Sequence, residues 1–99
     1  MIKHLVLWNL KEQAAGGGKA ANGAVIKARL EGLVGKIEGL RFLQVGPGVA
    51  EGNWDLCLYS EFDDLDALNF YRNHPLHLEV QKFVHEVISD RAACDFESE

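Results

Sequence analysis

The sequence predicts an α+β fold, with strand, helix, strand, strand, helix and strand arranged around a four-stranded antiparallel sheet. Three observations predict it. Alternating and helical apolar periodicities follow one another in that order along the 99 residues. The apolar stripe Ile26, Leu30, Leu33, Val34 and Ile37 recurs fifty residues later as Leu76, Val80, Phe83, Val84 and Val87, as two like halves would produce. The first strand is apolar on both faces, and in a short chain helices can cover only one of them.

Composition bounds the rest. The length suits one domain, residues 1–99, with a flexible Gly/Ala loop at about 12–22. An apolar fraction of 47% is ordinary for a globular chain. A net charge of −5 with no basic stripe argues against nucleic acid. No apolar run is long enough to span a membrane, and the N-terminal stretch alternates as a strand does, without the cleavage site of a signal peptide. Two cysteines, Cys57 and Cys94, are too few for a disulfide framework or a zinc site, so a reduced, cytoplasmic setting is expected.

The first strand is Ile2 to Leu10. His4, Val6, Trp8 and Leu10 share one face, and Lys3, Leu5, Leu7 and Asn9 the other. Lys11 to Asn22 reads as the loop. Its Gly16-Gly17-Gly18-Lys19 superficially matches a phosphate-binding loop, but the pattern needs Gly where Gln13 stands and Ser or Thr where Ala20 stands. The first helix is expected over Gly23 to Glu38, held by packing because Gly32 and Gly35 lower its propensity, and stopped at Gly39. Leu40 to Val49 is the second strand, with Pro47 indicating an edge or a bulge. Glu51-Gly52-Asn53 turns the chain into a third strand, Trp54 to Phe62. Asp63 or Asp64 caps the next helix, on which Leu65, Leu68 and Tyr71 share a face. Arg91 to Phe96 is the last strand.

Between these lies the densest cluster of functional side chains: Tyr71-Arg72-Asn73-His74-Pro75-Leu76-His77. Proline has no N–H and a helical φ, so it suits the first position of a helix, and it pushes His74 out of helical geometry. One helix therefore ends near Asn73 and another begins at Pro75. His77 falls in the first turn of that helix, where the partial positive charge of the N-terminus favours the neutral imidazole. Helical spacing leaves His77 half buried beside the apolar stripe and turns His85 to solvent. The bland alternative is a simple corner with both motif histidines at the surface.

The element order is the ferredoxin-like β-α-β-β-α-β plan. In it the first strand is central, with the third and fourth strands on either side, so Cys57 and Cys94 are not on neighbouring strands and form no internal disulfide. The uncovered sheet face then calls for a partner, most simply a second copy.

At this point the residues resemble a family. Met1-Ile2-Lys3-His4-Leu5-Val6-Leu7-Trp8, Ser60-Glu61-Phe62-Asp63-Asp64-Leu65, the Tyr71–His77 motif and Arg91-Ala92-Ala93-Cys94-Asp95-Phe96 resemble the stress-responsive A/B barrel (Dabb) domain over essentially the whole chain. The resemblance implies a homodimer whose two sheets face each other as a dimeric α/β barrel, with the helices outside. Most members have no known activity. One plant member is a polyketide cyclase that closes a β-keto chain without metal or cofactor, and its working tyrosine and histidine correspond here to Tyr71 and His77. A histidine like His4 lines that cavity. A further pocket histidine on the third strand has no counterpart in Asp55-Leu56-Cys57. Some plant members bind magnesium through backbone carbonyls, which side-chain identity does not carry over, so no metal and no cofactor are assigned.

If the even face of the first strand lies under the helices, His4 points up and His77 points down, with Trp8 as an aromatic wall and His74 near by. The expected candidates are thus His77 and Tyr71 as catalytic groups, and His4, Trp8 and His74 as ligand-binding groups. Three readings follow: a pocket for a small apolar or phenolic ligand, a cofactor-free enol or aldol enzyme with His77 as base and Tyr71 steadying an enolate, and a structural dimer without a ligand.

Overall fold

The computed structural model describes residues 1–99. Strand β1, Ile2–Leu10, alternates buried and half-buried residues along its whole length, as its two-sided apolar pattern predicts. It lies at the centre of a four-stranded antiparallel sheet of order β4-β5-β1-β6, where β4 is Leu40–Pro47, β5 Leu56–Phe62 and β6 Ile88–Glu97. Helices cover only the even face of β1, which carries His4, Val6, Trp8 and Leu10, each at most 5% exposed. The register places Ser60 and Asp95 opposite His4, and Leu56 and Arg91 opposite Trp8, so these side chains share the helix-covered face. The opposite face, with Leu5, Leu7, Cys57, Tyr59 and Phe42, has no layer over it, and Phe42 and Phe96 are 42% and 49% exposed. Cys57 and Cys94 are free, on strands that β1 separates.

The first half departs from expectation at both ends of its helix. The stretch expected as a loop is an ordered hairpin, β2 (Gln13–Ala14) with β3 (Gly17–Gly18). Its two turn residues, Ala15 and Gly16, both have positive φ (50° and 78°), the geometry of the tight turn that matches strand twist. Asn22, only 4% exposed, ties it down by donating to the Ala14 and Gly17 carbonyls at 3.0 and 3.2 Å. Helix α1 then begins early, at Lys19, and stops at Glu31 rather than Glu38. Gly32 ends it, and Gly35 and Gly39 adopt left-handed backbone that other residues resist. Val34 therefore leaves the stripe and is 40% exposed, while Leu33 and Ile37 still reach the core from the turn.

The strands end differently by a few residues. Trp54 and Asp55 precede β5, because the Asp55 N–H bonds to Trp8 O and Asn9 Oδ1 instead of continuing the ladder. Residue Arg41 bulges out of β4, an edge strand that Pro47 closes. The last strand starts at Ile88, three residues early, with no loop between helix and strand.

The Pro75 corner forms as expected. Helix α2, Leu65–Asn73, is capped by the Asp64 side chain accepting from Ala67 N at 2.8 Å. His74 is extended (φ −70°, ψ 135°), and α3 runs from Pro75 to Val87. Leu68, Tyr71, Val80, Val84 and Val87 pack into the core. Leu65 and Leu76 stay 58% and 42% exposed, since each sits in the first turn of its helix, away from the sheet.

Candidate functional site

The site grows from three local causes. Strand alternation aims His4 and Trp8 at the helices. The α2 spacing puts Tyr71 three residues from buried Leu68 on the inner face. The Pro75 start sets the phase of α3, so that His77, Gln81 and Val84 line its inner side. These groups enclose a cavity of about 50 Å³, walled by Val6, Leu30 and Leu58, with Arg72 and Arg91 also lining it.

Aromatic rings connect the two histidines. His4 meets Phe62 edge-on at 6.2 Å between centroids, Phe62 meets Tyr71 at 5.0 Å, and Tyr71 meets His77 at 4.1 Å with planes 32° apart. His77 is 6% exposed, deeper than the half-burial its spacing suggests, because Tyr71 covers it. Its Nδ1 lies 3.3 Å from the Arg72 carbonyl, which can only accept, so Nδ1 carries the proton. Nε2 is then the lone-pair nitrogen, and the Gln81 amide donates to it at 3.0 Å. Burial lowers the His77 pKa, against a partial rise from the Arg72 carbonyl, so the ring is a neutral base. Burial alone pushes the Tyr71 hydroxyl up, which keeps it a proton donor.

His4 is held from the other side. Its Nδ1 bonds Asp95 Oδ1, and Arg72 Nη2 bonds Asp95 Oδ2 at 2.5 Å. Burial lowers the His4 pKa more than Asp95 raises it, so this is a neutral imidazole donating to a carboxylate, and its Nε2 is a second lone pair. Burial pushes Asp95 up, but its bonds to His4 and Arg72 outweigh that and keep it ionised. The indole N–H of Trp8 is buried without a hydrogen-bond partner.

Four of the five expected residues, His4, Trp8, Tyr71 and His77, line one cavity. His74 does not. Its Nδ1 caps α3 by accepting from Leu76 N at 3.1 Å, and its ring packs on Phe70 at 5.5 Å on the outer side of the corner. The extended backbone before Pro75 dictates that cap. Asp95, Arg72, Arg91 and Gln81 were not singled out from the sequence. Pairing the last strand with the first would have found Asp95 and Arg91, and the four-residue step from His77 would have found Gln81. No three His, Cys, Asp or Glu side chains come together as a metal site.

The model of the stress responsive A/B barrel domain matches residues 2–98. The chain belongs to this family. An uncharacterized protein of Streptomyces coelicolor is 35% identical over 79 residues, covering 78% of this chain and 79% of that one. A dimeric protein of unknown function with a ferredoxin-like fold from Bacteroides fragilis superimposes with a TM-score of 0.77, is 32% identical, and covers 98% and 95% of the two chains. A hydroxynitrile lyase from Passiflora edulis has the same fold, with a TM-score of 0.81 and coverage of 96% and 90%, at 14% identity. The chain thus shares the ferredoxin-like plan of a dimeric neighbour of unknown function, and its fold alone with the lyase.

Proposed function

We propose that the protein is a homodimer, paired through its open sheet face, that admits a small carbonyl compound to the cavity between sheet and α3. There His77 Nε2 removes a proton beside the carbonyl, and the Tyr71 hydroxyl hydrogen-bonds the enolate oxygen that forms. The protonated His77 returns that proton to the product, and His4, held by Asp95, presents a second neutral imidazole to the same cavity. The observation that carries this reading is the Tyr71–His77 contact. A buried phenol kept protonated and a buried imidazole with a defined lone pair touch each other in one cavity. A dimeric neighbour at 32% identity supports the assembly, and an enzyme on the same fold supports use of the cavity.

A second reading, ligand binding without turnover, is favoured by Gln81, whose amide already occupies the His77 lone pair.

Thermal-shift screening tests the site, with wild type and His77→Ala both checked as dimers by sedimentation. Small ketones, methyl esters of β-keto acids and phenols are the probes. A ligand at a hundred times its Kd stabilises by about 2.7 kcal/mol, which is easily read. The expected result is a shift for wild type and a lost or weakened one for His77→Ala. Proton exchange of the bound ketone in D2O then separates the readings. Turnover predicts exchange that falls roughly a hundredfold in His77→Ala, and binding alone predicts none. Neither protein shifting, both still dimers, would overturn the pocket.

A further inference from the structure

A larger recess lies elsewhere, about 380 Å³ between α1 and the ends of β1, β4 and β5. It holds no group free for chemistry. Lys19 pairs with Asp55 and Glu12 at 3.2 and 3.4 Å, and Lys27 pairs with Glu31 at 2.7 Å and donates to Val45 O.

The small cavity differs in the charge and hydrogen-bonding capacity left over at its rim. Two guanidinium groups line it, Arg72 and Arg91. Arg72 is engaged by Asp95, and Asp95 is itself divided between Arg72 and His4. The Arg91 guanidinium has no carboxylate or carbonyl partner, and the residue is exposed on the edge strand β6. Arg91 is the register partner of Trp8, so its side chain leaves the sheet beside the indole. Trp8 is 3% exposed, and its N–H is the one buried side-chain polar atom in the chain without a hydrogen bond. The available groups at this end of the cavity are therefore donors, one of them a full positive charge. Yet the protein carries net charge −5, so this local excess is not the trend of the surface as a whole.

We infer that Arg91, with the Trp8 indole N–H, is the carboxylate-binding end of this cavity, and that the ligand is a short keto acid rather than a neutral ketone. This rests on the pocket reading above. The headgroup would bond the free guanidinium, the one planar fork in the cavity not already engaged by a carboxylate. The remaining chain would extend inward, its carbonyl towards Tyr71 and His77. A cavity of about 50 Å³ admits only a small group, so a longer ligand must leave past Arg91, at the exposed edge.

The probes are acetoacetate and its methyl ester, titrated against the full-length protein by NMR of the Trp8 indole N–H, with Trp54 as the internal control. Acetoacetate is expected to move the Trp8 signal and leave Trp54 in place. Arg91→Gln should weaken acetoacetate binding roughly tenfold to a hundredfold, the range of a charge-assisted hydrogen bond. Arg91→Lys should restore part of it, and added salt should weaken wild type more than Arg91→Gln. Arg91 is exposed, so the fold should survive these changes, which the unperturbed remainder of the spectrum checks. An ester that binds wild type as tightly as the acid overturns the carboxylate assignment and leaves the pocket standing. Acid binding unchanged in Arg91→Gln overturns it as well. If neither probe moves Trp8, both the assignment and the pocket reading fall.

Discussion

The two halves of the chain carry the same apolar stripe fifty residues apart, and they do different things with it. Residues that correspond by that offset are Lys27 and His77, and Ala21 and Tyr71. In the first half Lys27 points outward enough to reach Glu31 and Val45 O, and beside it lies the larger recess, with every charge paired. In the second half His77 is buried under Tyr71 beside a cavity roughly an eighth as large, where an indole N–H and a guanidinium lack partners. Space is therefore a poor mark of a site in this molecule. Buried groups held in defined protonation states, with hydrogen-bonding capacity left over, are the better mark.

The halves also differ in backbone, and the largest expected effect follows from that. Gly39 has φ +87°, and a Cβ built on it would lie 2.5 Å from the Ala67 Cβ. Gly39→Ala combines left-handed strain with overpacking, so it should cost about 3 kcal/mol. The corresponding position in the second half, Ser89, is exposed on β6, and Ser89→Ala should stay within about 0.5 kcal/mol. Urea unfolding midpoints of the two variants give the comparison. Equal losses would mean that the two helix-to-strand connections are energetically alike.

A smaller contrast sharpens the same point within the stripe. Val34 and Val84 are repeat partners, yet Val34 is 40% exposed past the end of α1 and Val84 is 2% exposed inside α3. Val84→Ala should cost about 2 kcal/mol and Val34→Ala no more than a few tenths. Similar values would restore the symmetry that the sequence repeat suggests and the structure breaks.

That pair also shows what was legible beforehand. Apolar period located every main strand and helix, because burial is the dominant constraint on which residue type goes where. Pro75 located the corner to the residue, since a missing N–H and a fixed φ leave few options. The glycines were harder. By sequence Gly32 and Gly35 count only as a propensity penalty and Gly39 as the stop, whereas the helix ends at Gly32, seven residues early, and Gly35 and Gly39 turn the chain after it. The Ala15-Gly16 turn was hidden in low-complexity sequence for the same reason, that positive φ at Ala15 leaves no compositional mark. At the site, His4, Trp8 and His77 could be brought together from periodicity and topology, and Tyr71 through the family resemblance. Asp95 and Arg91 could not be ranked without register, because a charged residue on an edge strand usually faces solvent. His74 was grouped with its neighbours by sequence proximity, and a single extended residue turned it to the other side of the corner.

The small cavity and the recess beside α1 should finally differ in how they respond to pH. Burial lowers the pKa of both His4 and His77 below the 6.5 of a free imidazole, and Arg72 and Arg91 push each further down while Asp95 pulls His4 up. Above pH 6.5 these rings are neutral in folded and unfolded chains alike, and their contribution to stability is complete. Below it the unfolded chain binds protons that the folded chain refuses, so stability falls as pH drops from 6.5 towards the folded values. The first helix and the recess beside it have no such group. Glu31, lowered from 4.5 chiefly by the Lys27 bond, contributes above 4.5 and loses that contribution only in more acidic solution. Melting temperature should therefore decline in two stages on acidification. His77→Gln should flatten the stage that begins near pH 6.5 and leave the lower one, whereas Lys27→Gln, acting on a half-exposed pair, should make a smaller change confined to the lower stage. Should the upper stage persist unchanged in His77→Gln and in His4→Gln, the buried rings would not be held neutral, and the proton chemistry assigned to the second half would lose its base.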